Sequence, residues 1–123
     1  MTRRSRLLGE RGERIAEAHL IDRGLVILDR GYRCRLGELD LVAVDGEELV
    51  VVEVRYRGRT DFGTPLETIT QHKQQRILRA TRHYLMRHTH RAAMPLRFDV
   101  VGIDATDPAA PRLTWVRGAF GGA

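Results

Sequence analysis

Cysteine is almost absent, since Cys34 is the only one among 123 residues. A single cysteine excludes an intrachain disulfide, and no spacing typical of a zinc site is present. The sequence also lacks any run of 18 apolar residues, so it contains no helical membrane span. The basic N-terminal stretch has no apolar core of the kind found in secretory signals. We therefore expect a cytoplasmic protein that does not associate with membranes.

Lysine is equally scarce, because Lys73 is the only lysine among 21 basic residues. A genomic bias toward arginine codons accounts for this composition. A surface that binds phosphates accounts for it as well, since guanidinium groups form bidentate contacts with phosphate. The formal net charge of +5 predicts attraction to polyanions, but it does not predict a fold or a reaction.

The length of 123 residues predicts one domain, spanning residues 1–123. The spacing of apolar residues predicts an α/β fold in which helices flank a mixed sheet, in the order α-β-β-β-α-β with a weak final strand. The predicted elements are a helix over 8–23, a strand over 25–28 that Gly31 breaks and that residues 32–36 extend as an irregular piece, strands over 38–44 and 49–56, a helix over 70–87, a strand over 97–103 and an edge strand over 113–116. We expect residues 1–6 and 118–123 to be disordered.

Two features predict local geometry within this order. Asp45-Gly46 between two β-branched runs is typical of a tight hairpin turn. The sequence Thr64-Pro65-Leu66-Glu67 has the pattern of a capping box and predicts a helix start, with a second start at Thr70.

The hairpin determines where its carboxylates point, because residues two apart in a strand share a face. If Asp45-Gly46 is a two-residue loop, Asp40 pairs with Val51 and Glu38 pairs with Glu53. Asp40 and Glu53 would then be diagonal neighbours on one face, roughly 7–8 Å apart. Any even-length loop preserves the shared face, whereas a slip of one residue destroys it.

Glu53 interrupts the most apolar run of the chain, Val50 to Val54. Burial of an unpaired carboxylate is costly, and two adjacent carboxylates repel each other unless a cation lies between them. Oxygen ligands of this kind suit Mg²⁺ or Mn²⁺. The alternative is that Glu53 lies at a strand end, in water or paired with an arginine.

Two further residues are candidates from their position on helices. Glu13 lies at the edge of the apolar stripe of the first helix, beside Leu20, and is either a boundary residue or a ligand. Lys73 lies near the inner face of the second helix and is otherwise a solvated first-turn cation. Asp99, opposite in face to Phe98, either supports the site or has a role at a strand edge.

Several separate motifs resemble the YraN family of uncharacterised bacterial proteins over residues 9–103. The motifs are Gly12-Glu13 with Ala16, Gly37 to Ala43, Val51 to Arg57, Phe62-Gly63-Thr64-Pro65, Lys73, and Arg97-Phe98-Asp99-Val100. That family is similar to the restriction-endonuclease-like fold, which archaeal Holliday-junction resolvases share.

The resemblance implies a site made of an acidic residue on the first helix, an aspartate on the second strand and a Glu-X-Lys motif on the third. Carried over, these are Glu13, Asp40, and Glu53 with Arg55, with Glu13, Asp40 and Glu53 as the metal ligands. The sequence departs from this pattern because Arg55 stands at the lysine position. Arginine effectively cannot lose its proton, so Arg55 would only stabilise charge, or Lys73 would supply the amine.

Three functions are therefore compatible with the sequence. The first is a Mg²⁺- or Mn²⁺-dependent endonuclease that acts on DNA, including branched or structured DNA, with Glu13, Asp40, Glu53, Arg55 and Lys73 as its catalytic residues. The second is a nucleic-acid-binding module that retains the fold without catalysis. The third is a protein-interaction role for the final edge strand near Trp115. A homodimer is left open.

Overall fold

The computed structural model describes residues 3–58 and 68–121, with side chains from Gly9 onward. Its elements follow the predicted order α-β-β-β-α-β with a final strand, which confirms the α/β class. They are α1 (Arg3–Asp22), β1 (Val26–Cys34), β2 (Gly37–Asp45), β3 (Glu48–Arg57), α2 (Gln71–Arg87), a short 3-10 helix (Thr89–Arg91), β4 (Leu96–Asp104) and β5 (Arg112–Phe120). The predicted helix start at Thr64-Pro65-Leu66-Glu67 lies outside the described residues, as does the motif that begins at Phe62. The later start is confirmed, since the Thr70 side chain caps α2 by accepting from the Lys73 N–H.

The strands form one mixed sheet in the order β1-β2-β3-β4-β5. Only β3 and β4 run parallel, and α2 lies in the connection between them. The two helices cover opposite faces. Leu20 of α1 packs with Leu41, Val50, Val52 and Val101, whereas Tyr84 of α2 packs in a separate cluster. That second cluster contains Leu39, Val42, Leu49, Val51, Phe98 and Val100.

The hairpin formed by β2 and β3 is confirmed, but its predicted register is wrong. Asp45 pairs with Glu48 and Leu41 pairs with Val52, so the two loop residues are Gly46 and Glu47. Gly46 adopts a φ of +62°, which glycine tolerates and which a tight hairpin turn requires. The pairing is therefore shifted by two residues from the prediction, and a shift of two leaves each side chain on its predicted face.

Three predicted boundaries are also corrected. Strand β1 does not break at Gly31 but continues through it to Cys34, with Gly31 at a φ of +60°. Helix α1 begins at Arg3, inside the stretch expected to be disordered. Strand β5 continues past Gly118 to Phe120, where a disordered tail was predicted.

The Gly118 N–H donates to Asp99 at 2.9 Å, and Phe120 stacks on Phe98. These long-range contacts have no local signature in the sequence.

Asp99 connects the last two strands from a fully buried position on β4. Its carboxylate accepts from Arg97 Nε at 2.9 Å and Nη2 at 3.0 Å, and from Trp115 Nε1 at 2.9 Å. Arg97 also contacts Asp45 and Glu48 near the hairpin turn. The pKa of Arg97 is raised, mainly by its hydrogen bonds to Asp99. The sequence left two roles open for Asp99, support of the site and a role at a strand edge. These contacts show a structural role at the junction of β4 and β5.

No helix in the described ranges is long and apolar enough to cross a membrane.

We expect Asp99→Ala to lower the free energy of unfolding by about 3–5 kcal/mol, because it leaves the half-buried Arg97 and the Trp115 N–H without their acceptor. Urea unfolding measures this loss. Asp107→Ala removes an aspartate from an exposed turn and serves as the control, with an expected loss of about 1 kcal/mol or less. A loss below 1 kcal/mol for Asp99→Ala would show that the buried network does not stabilise the fold.

Candidate functional site

The alternation of side chains between the two faces of the sheet is interrupted in β2 at Asp40. Leu39 is buried in the cluster under α2, whereas Leu41, two residues later, is buried in the cluster under α1. In a regular strand, Leu39 and Leu41 would lie on the same face. Because they do not, the prediction that Glu38, Asp40 and Val42 share one face is wrong. The paired strand has Gly31 opposite Asp40, between the pairs Arg30–Leu41 and Tyr32–Leu39. Its positive φ accompanies the change of face.

Glu53 faces Asp40 from the neighbouring strand. The pairing of β2 with β3 ends at Leu41–Val52, and Asp40 and Glu53 are the next residues along the two strands, so they are not the diagonal neighbours that the predicted register gave. The ladder is modified at this point, because the Val54 N–H donates to Asp40 Oδ2 at 2.8 Å. The hairpin therefore brings the two predicted carboxyl groups together, and the backbone of β3 orients one of them.

Glu13 reaches the same place from α1. Gly12 allows the close approach, because a Cβ at that position would lie 3.1 Å from Tyr56 Cδ2 on β3. The carboxyl groups of Glu13 and Asp40 interact through a side-chain hydrogen bond. Asp40 therefore lies within hydrogen-bonding reach of both of the other predicted acidic residues, Glu13 and Glu53.

The pKa values of all three carboxyl groups are raised. Burial raises the pKa of Glu53 to about 8, with further contributions from the charge and hydrogen bonding of Asp40. Burial followed by the charge of Asp40 raises the pKa of Glu13 to about 7. Burial also raises the pKa of Asp40, while the Val54 N–H and Glu53 act in the opposite direction. Glu53 and Glu13, when protonated, can each donate a hydrogen bond to Asp40, which is why this interaction raises their pKa values.

Arg55 lies beside Glu53, two residues along β3, as predicted. Its Nη1 is 3.6 Å from Glu53 Oε1, and its Nη2 donates to the Thr68 carbonyl at 3.1 Å. Arg55 Nε is buried and has no hydrogen-bond partner among the described residues. An unsatisfied buried donor is costly and is rare in native proteins, so this one calls for an explanation.

Lys73 lies across a cleft from these residues, in the first turn of α2. The cleft has a volume of about 330 Å³ and is open to solvent. Its lining comprises Arg33, Cys34, Gly37, Glu38, Glu53, Arg55, Lys73, Arg76 and Ile77. Burial and then the charge of Arg55 lower the pKa of Lys73. A smaller cavity of about 190 Å³ lies on the α1 side and is lined in part by Glu13.

The donor set of this site consists of carboxylate oxygens, which are the ligands that Mg²⁺ and Mn²⁺ prefer. Within the described part of the chain, no three His, Cys, Asp or Glu side chains are arranged as a complete metal site. Asp40 interacts with Glu53 and with Glu13, but the three side chains do not form such a group. The arrangement fits a cation bound by one or two carboxylates, with water and a substrate completing its coordination.

Sequence reasoning missed the rim of the cleft. Glu38 is exposed and pairs with Arg33, whose Nε lies 3.2 Å from Glu38 Oε2. The charge of Glu38 raises the pKa of Glu13, Asp40 and Glu53. Gly37 lets α2 pack directly on the start of β2, because a Cβ there would lie 3.1 Å from the Arg76 carbonyl oxygen. An isolated glycine at the start of a strand was the one available sign of this close approach.

Comparison with known proteins identifies relatives along nearly the whole chain. The model described as "Uncharacterised protein family UPF0102" matches residues 12–103, a range that contains all five predicted site residues. A UPF0102 protein of Stutzerimonas stutzeri is 46% identical over 112 residues, which cover 91% of this chain and 92% of that protein. A UPF0102 protein of Nitrosococcus oceani is 46% identical, with coverage of 91% and 90%. One from Legionella pneumophila is 40% identical, with coverage of 91% and 92%.

The raised pKa values predict how stability depends on pH. Glu53 loses its proton near pH 4.5 in the unfolded chain but near pH 8 in the folded chain. Between these values the folded state binds more protons, so its stability relative to the unfolded state falls as pH rises. In EDTA, we expect Glu53→Gln to match the wild type at pH 4.5 and to exceed it at pH 8.5 by about 1–3 kcal/mol.

Urea unfolding at both pH values measures this difference. Glu47→Gln makes the same change of charge in the exposed hairpin turn and should leave the pH profile parallel to that of the wild type. Parallel profiles for Glu53→Gln and the wild type would show that the Glu53 carboxyl is not strained by its surroundings.

Proposed function

The chain belongs to the uncharacterised protein family UPF0102, and we propose that it is a metal-dependent phosphodiesterase that cleaves DNA. One observation carries the proposal: Asp40 contacts both Glu13 and Glu53, and Glu53 opens into a cleft that also contains Arg55 and Lys73. A divalent cation requires carboxylate ligands, and a phosphate requires positively charged groups; this site offers both. The resemblance to the restriction-endonuclease-like fold favours the same assignment by analogy.

Asp40 and Glu53 are the residues that would hold Mg²⁺ or Mn²⁺, with Glu13 in support. Such a cation polarises the scissile phosphate and lowers the pKa of a bound water. Asp40 Oδ2 already accepts from the Val54 N–H, which orients the carboxylate before any ligand arrives. The protons on Glu13 and Glu53 must leave before these groups bind a cation, so cation affinity should rise with pH toward 8.

Arg55 supplies a permanent positive charge next to the phosphate. Its contacts with Glu53 and the Thr68 carbonyl restrain the side chain, so little reorganisation is needed when negative charge develops on the phosphoryl oxygens. Because arginine retains its proton, Arg55 does not act as a base. Its role in this proposal is to stabilise charge.

Lys73 provides the second cation from the opposite wall of the cleft. Its lowered pKa makes the ammonium group a better proton donor than an ordinary lysine. We assign its Nζ to the phosphate, where it neutralises charge and can give a proton to the leaving oxygen.

The alternative is a DNA-binding module without catalysis, and Arg55 is the observation that favours it. An arginine held by a glutamate and a backbone carbonyl serves binding as well as catalysis. This alternative predicts DNA affinity that falls steeply with salt, together with no cleavage.

The test is incubation of the purified chain with linear, nicked and four-way-junction DNA in Mg²⁺ or Mn²⁺. We expect cleavage by the wild type and a loss of about 100-fold or more in Glu53→Gln and in Asp40→Asn, equivalent to about 3 kcal/mol of transition-state stabilisation. Glu47→Gln, which makes the same change of charge at the other end of the hairpin, should cleave normally.

A second readout does not depend on activity. Mn²⁺ should raise the melting temperature of the wild type at pH 8 by a few degrees through binding to the folded state, and should not raise that of Glu53→Gln. Absence of cleavage on every substrate, or cleavage that Glu53→Gln leaves unchanged, would eliminate the enzymatic assignment.

A further inference from the structure

We propose that the exposed face of α2 is a docking surface for the phosphate backbone of double-stranded DNA, which it guides to the cleft. The inference rests on the proposed function in that DNA is the substrate, but it concerns a different set of residues. We define the α2 track as the four exposed arginines Arg76, Arg79, Arg82 and Arg87.

The charge of the chain is segregated along the sequence. Residues 68–98 contain seven Lys and Arg and no Asp or Glu. Because the whole chain carries +5 and this segment carries +7, the remainder carries a net charge of −2. Four of the five histidines also lie in this segment. Arg91 and Arg97 of this segment pair with Asp29 and Asp99, which lie outside it, so Lys73 and the α2 track are its cations without an ion pair among the described residues. A codon bias toward arginine does not explain the absence of acidic residues in this segment.

The arginines of the α2 track form no ion pair with any other described residue. Several arginines elsewhere in the chain are paired, among them Arg30 with Glu17, Arg91 with Asp29, and Arg97 with Asp99. Arg76, Arg79 and Arg82 instead follow one another at intervals of three, where like charges repel and destabilise a helix by a few tenths of a kcal/mol per pair. No acidic residue lies in the first turn of α2 to offset its dipole. An external polyanion would relieve both costs.

The track begins at the cleft. Lys73 and Arg76 line the cleft together with Glu53, and Arg79, Arg82 and Arg87 follow along the helix. At 1.5 Å per residue, Arg76 and Arg87 are separated by about 16 Å along the axis, or roughly five base pairs of duplex at 3.4 Å each. A duplex placed along this helix can therefore contact several phosphates while another phosphate reaches Glu53.

The composition of the outer face distinguishes duplex DNA from other polyanions. Recognition of single strands depends on aromatic side chains that stack on bases, and Tyr84, the one Phe, Tyr or Trp of α2, is buried in the core. A lipid surface would require an apolar helix face, but Ile77, Ala80 and Tyr84 pack against the sheet. Arginine without stacking groups suits the backbone of a duplex, independent of its base sequence.

The experiment measures binding of the full chain to a labelled 30-base-pair duplex by fluorescence anisotropy, in EDTA so that no cleavage occurs. The variant Arg79→Gln/Arg82→Gln/Arg87→Gln removes three track charges and leaves the cleft residues in place. We expect its Kd to rise about 10-fold or more, with the slope of log K against log salt reduced by about 2–3. Two duplexes of unrelated sequence should give the same result, and a single strand of equal length should bind more weakly.

The matched control is Arg11→Gln/Arg23→Gln/Arg112→Gln. These arginines are also exposed, form no ion pair with other described residues, and lie on α1, at its end and on β5. The control loses the same charge, and we expect it to raise Kd less than 3-fold. A third variant with lysine at positions 79, 82 and 87 retains the charge and should restore most of the binding, which shows that loss in the glutamine variant is not a folding defect.

Equal weakening by the two glutamine triples would overturn the inference, since net charge alone would then explain binding. Tighter binding of the single strand, or of polyglutamate in competition with the duplex, would also overturn it. The proposed function fails separately. If DNA binding depends on the α2 track but no cleavage occurs, the docking surface is supported and the proposed nuclease activity is wrong. If cleavage depends on Glu53 but the glutamine variant of the track binds DNA as the wild type does, the nuclease activity is supported and the docking surface is wrong.

Discussion

The site depends on one carboxylate, that of Asp40, which lies where the two faces of the sheet exchange. Leu39 and Leu41 enter opposite cores, and the residue between them meets Val54 in the second half of β3. There the Val54 N–H holds Asp40, Glu53 stands opposite it, and Glu13 reaches it from α1. If β2 kept strict alternation, Asp40 would either be sealed beneath one helix or be separated from the other, and the three acidic residues would not share a space.

The parts of this arrangement that the sequence predicts are those with a local signature. The hairpin follows from two β-branched runs. Its predicted register is wrong by two residues, an even number that leaves the side chains of the regular pairs on their predicted faces. The change of face at Asp40 was not predictable from alternation, which assumes a regular strand.

The approach of Glu13 depends on Gly12 packing against Tyr56, and the cleft rim joins Arg33, Glu38 and Arg76 from separate elements. Contacts between residues far apart in sequence leave no periodic pattern, and for the same reason the strand at Gly118 to Phe120 was mistaken for a disordered tail.

Acidic and basic side chains line the same cleft. Glu38 and Glu53 lie in it together with Lys73 and Arg76 of α2. A polyanion that follows the arginines arrives with its own negative charge beside carboxyl groups, an unfavourable encounter unless a cation or protons intervene. Burial and the charge of Asp40 raise the pKa values of Glu13 and Glu53, so protons bound to these groups would reduce the repulsion. Replacing those protons by a divalent cation would remove the repulsion and couple phosphate binding to metal binding, so each ligand would favour the other.

The energetic cost of the site is itself an argument about its purpose. Three carboxyl groups partly withdrawn from water, with raised pKa values, lower stability at neutral pH relative to apolar side chains of similar size. Their strain is offset elsewhere, by two apolar clusters and by the fully satisfied carboxylate of Asp99. Asp99 shows how the same chain treats a carboxylate whose role is structural: it is completely buried and accepts four hydrogen bonds from Arg97, Trp115 and Gly118. Glu53 differs in each respect, because it opens into a cleft, is opposed by another carboxyl and has an arginine at the long distance of 3.6 Å. The same fold satisfies the buried carboxylate of Asp99 completely, whereas it leaves Glu53 with a raised pKa. This difference favours ligand binding over a structural role for Glu53.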